Sequence, residues 1–139
     1  MPKTRSAMET LAWQQLGDLW FSQKPVLMEL AKELDLFPPQ IMVIQTLDEP
    51  KPMRQVAEFL SCNSSNLTGI TDRLEDRDLV KRTADPNDRR IKLLVLTPEG
   101  EKLRREVIGR IETPPESMSV LSEEDLDDLS RILSKLTDS

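Results

Sequence analysis

Apolar residues recur at helical spacing along the first quarter of the chain, at Leu11, Leu16, Leu19, Trp20, Leu27, Leu30, Ala31 and Leu34, predicting a helix from Met8 to Leu34. Pro25 interrupts that run. A proline inside a helix removes one hydrogen bond and clashes with the preceding turn, so a kink or break is expected near Ser22–Pro25, with Ser22 placed to cap a restarted helix. LFPPQ opens a second helix, Pro39 to Leu47, since proline is tolerated in a first turn; DEPKP ends it. Met53 to Leu60 predicts a short helix with Val56, Ala57 and Leu60 on one face. SCN makes a turn, and Asn63 caps a helix running to about Asp78, whose inward stripe is Leu67, Ile70, Thr71 and Leu74. VKRTA and IKLLVLT read as strands joined by DPND, a type I-like turn with proline at its second position. Thr97, Pro98 and Glu99 open a further helix to about Glu112, where TPP stops it, and Ser122 with three following acids caps a last helix ending near Leu136. The expected fold class is mainly α with a small β-hairpin.

Charge changes this picture by locating a surface. The 139 residues carry a formal net charge of −6, which by itself argues against a polyanionic partner. Residues 1–50 carry −3 and residues 106–139 carry −6, whereas residues 51–105, with 12 basic and 9 acidic side chains, carry +3. The only net-positive block is therefore the one holding the short helix, the turn, the capped helix and the hairpin. A helix-turn-helix followed by a basic hairpin is a shape for reading duplex DNA, with a local rather than global electrostatic footprint. The length suits one domain. No run approaches the roughly 18 apolar residues of a membrane span, MPKTRSAMET lacks the apolar core of a secretory signal, and the single Cys62 cannot form an internal disulfide. These features lead to the expectation of a cytoplasmic protein with no membrane partner.

The segment SSNLTGITDRLEDRDLVKRTADPNDRRIKLLVLTPEG closely resembles the winged helix-turn-helix of the MarR family of bacterial transcriptional regulators. The marks are the DRLEDRDLV end of the recognition helix, the DPNDRR wing tip and the LTPEG opening of the next helix. More loosely, the resemblance spans nearly the whole chain, and CNSSNLTGITDRLE with TPPESMSVLSEEDL is most similar to a subgroup common in actinobacteria. It implies a single domain over residues 1–139: a winged DNA-binding lobe at about 37–105, flanked by dimerisation helices at about 8–36 and 106–139. It further implies a homodimeric repressor on double-stranded DNA, with recognition helices in successive major grooves of a near-palindromic operator and wings in minor grooves. Release would come from a small, often aromatic, effector bound between the dimerisation helices and the lobe, with Trp13, Trp20, Phe21 and Met42 as lining candidates. Trp and Met at helical spacing are also ordinary core or dimer-interface residues.

Physical chemistry assigns roles inside the lobe. Ser64, Ser65, Asn66 and Thr68 fall on or near the outward face of the first turns of the recognition helix, where short polar groups and unpaired backbone N–H groups suit phosphate and base edges. Asn66 can pair bidentately with adenine, and Arg73 can reach phosphate. Asn63 reads first as a cap and second as a base reader. On the wing, Arg90 matches the minor-groove residue, Asp88 is expected to hold the wing by pairing with an arginine, and Lys81, Arg82 and Arg89 offer phosphate contacts. Lys81, Arg82 and Arg89 also have the plain reading of solvated charges, and Ser64 and Ser65 that of solvated helix starts. Three positions depart from the family pattern: Gly69 replaces a large polar residue, Asp78 replaces the glycine after the recognition helix, and Phe37 replaces a Thr or Ser cap before PPQ.

Other chemistries lack their residues. With no histidine and one cysteine, neither a histidine-bearing zinc site nor a His-dependent catalytic group can be built, no glycine-rich phosphate loop is present, and no cofactor is expected. An enzyme is therefore not expected. Two alternatives stand beside the repressor: a helical dimer that binds a ligand or protein and has lost DNA binding, and a redox sensor built on Cys62. The second competes with Cys62 as a small filler packed under the turn.

Overall fold

A computed structural model describes residues 2–138, the side chain of Ser64 lying outside the described residues. The chain forms helices α1 (Arg5–Ser22), α2 (Lys24–Glu33) and α3 (Pro38–Thr46), strand β1 (Lys51–Pro52), and helices α4 (Met53–Phe59) and α5 (Ser64–Asp76). Strands β2 (Val80–Ala84) and β3 (Lys92–Leu96), α6 (Pro98–Ile111), a 3-10 turn at Glu116–Val120 and α7 (Glu123–Thr137) complete it. The break foreseen at Pro25 is present, at Gln23. Ser22 does not cap the restarted helix: its hydroxyl donates back to the Leu19 carbonyl at 2.6 Å, and Gln23 occupies the cap position without a side-chain bond.

Local chemistry explains the other boundaries. Asn63 Oδ1 accepts from the Asn66 N–H at 2.8 Å, Thr97 Oγ1 accepts from the Gly100 N–H at 3.0 Å, and Ser122 and Asp125 bond reciprocally in a capping box. Three helices end alike, on a non-glycine residue in left-handed conformation: Asp35, Ser61 and Asp78, with φ of 52°, 50° and 58°. Behind each, the next residue's N–H returns to a carbonyl five positions back: Leu36 to Ala31, Cys62 to Ala57 and Leu79 to Leu74. Cys62 thus follows a helix-ending turn, half-buried and packed against the core.

The three strands form an antiparallel sheet in the order β1-β3-β2, with Lys51 opposite Leu94 and Val80 opposite Leu96. Strand β1 was not foreseen, because two residues carry no alternation and their pairing with β3 is non-local. The core lies where α3, α4, α5 and α6 meet the sheet. Ile41, Val43, Ile44, Val56, Leu67, Leu74, Leu94 and Val107 are all buried there. Arg104 reaches the Gln45 carbonyl from α6, and Arg77 donates to the carbonyls of Leu34 and Asp35, so the end of α5 is fastened to the end of α2. By contrast, α1 and α7 contain no buried residue. No helix among the described residues is long and apolar enough to cross a membrane.

Candidate nucleic-acid interface

Helix α5 divides into an inner and an outer face. Leu67, Thr71 and Leu74 are buried at i, i+4 and i+7, which leaves two polar stripes outside. One runs through Ser65, Asn66, Gly69 and Arg73; the other runs through Thr68, Asp72 and Glu75. Each stripe is bordered by a different part of the fold.

The second stripe faces the wing. Arg82, on β2, donates to Asp72 Oδ1 at 2.7 Å, to Glu75 Oε2 at 3.0 Å and to the Thr68 carbonyl at 3.3 Å, while its own backbone N–H donates to Glu75 Oε1 at 3.2 Å. Its guanidinium lies between two carboxylates, and the side chain is only 27% exposed. Arg82 therefore works as a tie between wing and recognition helix, a role the sequence did not disclose, because both partners lie on a separate element. Lys81, next along the strand, points to solvent.

At the tip, residues 85–91 form the turn. Asp85 accepts from the Asn87 N–H at 2.9 Å, and Asp88 and Ile91 N–H groups close back on Asp85 and Asp88. Asp88 takes the Arg90 backbone N–H at 3.1 Å and its guanidinium at 3.1 and 3.2 Å. These bonds hold the Asp88 carboxyl below the usual carboxylate range, the side-chain bond contributing more than the backbone one. Arg90 itself remains 91% exposed, so its charge is aimed outward on a fixed stem. Arg89 is also exposed.

The first stripe borders an open groove of about 610 Å³ whose other wall is the start of α3, including Phe37, Pro38 and Met42. Ser65 and Asn66 are exposed along it, whereas Asn63 is committed to its cap bond. At the groove's end the Arg73 guanidinium lies 5.8 Å from the centre of the Phe37 ring. A Cβ added at Gly69 would meet nothing within 4 Å, so this glycine leaves an open place on the helix face. Within one chain the expected effector-lining set is not assembled. Met42 lines this groove, but Trp13, Trp20 and Phe21 stand on α1, 76%, 74% and 66% exposed, and none of them lines it. Helix α1 packs chiefly against α2.

A capped recognition helix, a preceding helix and turn, and a basic hairpin strapped to its flank define a winged helix-turn-helix protein of the DNA-binding kind. The sequence profile of the MarR family matches residues 36–92. MdtR of Bacillus subtilis (strain 168), an HTH-type transcriptional repressor, is 31% identical over 116 residues, spanning 81% of this chain and 75% of that protein. The chain belongs to the MarR family and is a DNA-binding transcriptional regulator, not an enzyme. Among solved structures, a MarR family protein from Bacillus stearothermophilus superposes with a TM-score of 0.85 at 22% identity, covering 98% of this chain and 97% of that one. A mutant of Escherichia coli MarR in complex with operator DNA superposes at 0.70 and 20% identity, covering 97% and 99%.

Proposed function

We propose that this protein acts as a homodimeric repressor that binds a near-palindromic operator and is released from it by a small, aromatic-type effector. The observation that carries the reading is the state of α1 and α7. Met8, Leu11, Leu19 and Trp20 on the first, and Leu126, Ile132 and Leu133 on the second, are apolar and between 38% and 74% exposed in a single chain. Exposed apolar surface of this extent on two terminal helices calls for a covering partner, and a second copy supplies the same two helices in return. Pairing there leaves the winged lobe of residues 37–105 free on each copy, so two recognition helices face one side of the dimer.

In the DNA-bound form, Ser65, Asn66 and the Ser64 and Thr68 positions enter the major groove, Arg73, Lys81 and Arg89 meet phosphates, and Arg90 enters a minor groove. Arg82 supports the wing from behind. An effector held between α1, with its aromatic residues, and the lobe shifts the population toward lobe spacings that no longer match successive grooves. The fold of the Escherichia coli protein seen with operator DNA supports the geometry, and the repressor MdtR supports the sign of regulation.

The test is sedimentation of the full chain together with fluorescence anisotropy on a duplex that it selects from a random-sequence library. A dimer whose affinity falls steeply with salt, and which footprints two successive major grooves on one face, is expected. A monomer at working concentration, or a footprint confined to one groove, overturns the dimeric reading. Arg90→Ala is expected to reduce the salt slope by about one, and Asn66→Ala to cost about 1–3 kcal/mol at one base pair.

A further inference from the structure

We infer that Phe37 is a positioning residue for DNA binding, holding the Arg73 guanidinium on the duplex-facing side of the recognition helix; the inference rests on the DNA-binding reading above. Phe37 occupies the cap position of α3 yet has no acceptor to offer, and the task is done from the other direction. Gln40 Oε1 accepts the Phe37 N–H at 2.8 Å. The ring is not required by the core either, since it is 63% exposed. What it does meet is Arg73, whose guanidinium sits over it at 5.8 Å, within the range of a cation–π contact.

The pairing has a chemical consequence that a carboxylate partner would not give. Arg82 is held by Asp72 and Glu75, and Arg90 by Asp88, so both are fixed by groups that also offset their charge. Among the described residues no carboxylate lies in ion-pair distance of Arg73. An aromatic face fixes a guanidinium while leaving its full charge for a phosphate. Gly69, one turn before Arg73 on the same stripe, adds no side chain to this face, and a Cβ there would meet nothing within 4 Å.

The test measures affinity for the duplex selected by the wild-type protein from a random library, across a salt series, for Phe37→Ala, Phe37→Leu, Phe37→Tyr, Arg73→Ala and the Phe37→Ala/Arg73→Ala double variant. Phe37→Leu keeps the apolar bulk, so its folding is safeguarded while the ring is lost. Loss of the ring is expected to weaken binding about two- to five-fold, and Phe37→Tyr to restore it. Arg73→Ala is expected to lower the salt slope by about one, and in that background Phe37→Ala is expected to have no further effect. Wild-type affinity in Phe37→Leu, or an equal loss from Phe37→Ala with and without Arg73, would overturn the inference while leaving DNA binding intact. Failure of the wild-type protein to select any duplex would instead remove the DNA-binding reading, and this inference with it.

Discussion

Arg82 and Asp72 meet at 2.7 Å across the seam between the wing and the recognition helix, and Glu75 closes on the same guanidinium at 3.0 Å. The wing and helix α5 are thereby set in one orientation. Because two carboxylates already offset its charge, Arg82 differs from the exposed arginines nearby. Arg82→Ala is expected to cost about 1 kcal/mol in denaturant unfolding, allowing for its partial exposure. It is also expected to speed amide exchange along residues 80–84 and weaken DNA binding without lowering the salt slope. A slope reduced by a full unit would show that Arg82 contacts phosphate instead.

The wing tip should be indifferent to pH through neutrality and sensitive only in acid. Asp88 has its carboxyl depressed by the guanidinium and backbone N–H of Arg90. For a group whose folded value is lowered, the stabilising contribution is complete above the usual carboxylate range and is lost as pH falls through the lowered value. The Nε resonance of Arg90 is therefore expected to hold steady through neutral pH, move only below the usual range, and lose that movement in Asp88→Asn. A transition at or above the ordinary carboxylate range would sink the clamp as described.

Much of the lobe was legible along the sequence because its boundaries are local. Asn63, Thr97 and Ser122 cap helices with their own side chains, and Asp78, standing in place of a glycine, adopts a left-handed conformation. What was not legible depended on residues far apart in the chain. The strand Lys51–Pro52 exists only against Leu93 and Leu94, and the tie of Arg82 to Asp72 and Glu75 was not legible because those partners lie on another element. Likewise, the contact of Phe37 is with Arg73, 36 positions later in the chain. The grouping of Trp13, Trp20 and Phe21 with Met42 rested on family likeness, and one chain does not bring them together.

Two glycines in helices should respond to the same substitution with opposite signs. At Gly100, in the first turn of α6, an added Cβ would stand 1.9 Å from the Leu79 carbonyl oxygen, which is backbone and already accepts the Thr97 N–H at 3.1 Å. Gly100→Ala must push α6 away from the start of β2, at a cost of about 3 kcal/mol. At Gly69 nothing stands within 4 Å, so Gly69→Ala should gain about 1 kcal/mol from helix propensity alone. Chemical denaturation of the two variants measures both, and equal signs would refute the packing account of Gly100.

Thr71 is fully buried on the inner face of α5, and its hydroxyl has no hydrogen-bond partner among the described residues. An unpaired buried hydroxyl carries a desolvation penalty with nothing to offset it. Valine has nearly the same shape and β-branching, so Thr71→Val removes the polar atom without opening a cavity or changing the stiffness of the side chain. The substitution should raise the unfolding free energy by about 1 kcal/mol, whereas Thr71→Ala, which also deletes a methyl group among Leu67, Leu74 and their neighbours, should lower it by a similar amount. Denaturant midpoints at unchanged m-value separate the two effects. Destabilisation by valine would mean that the hydroxyl has a partner after all, the nearest source being the helix's own carbonyl one turn back.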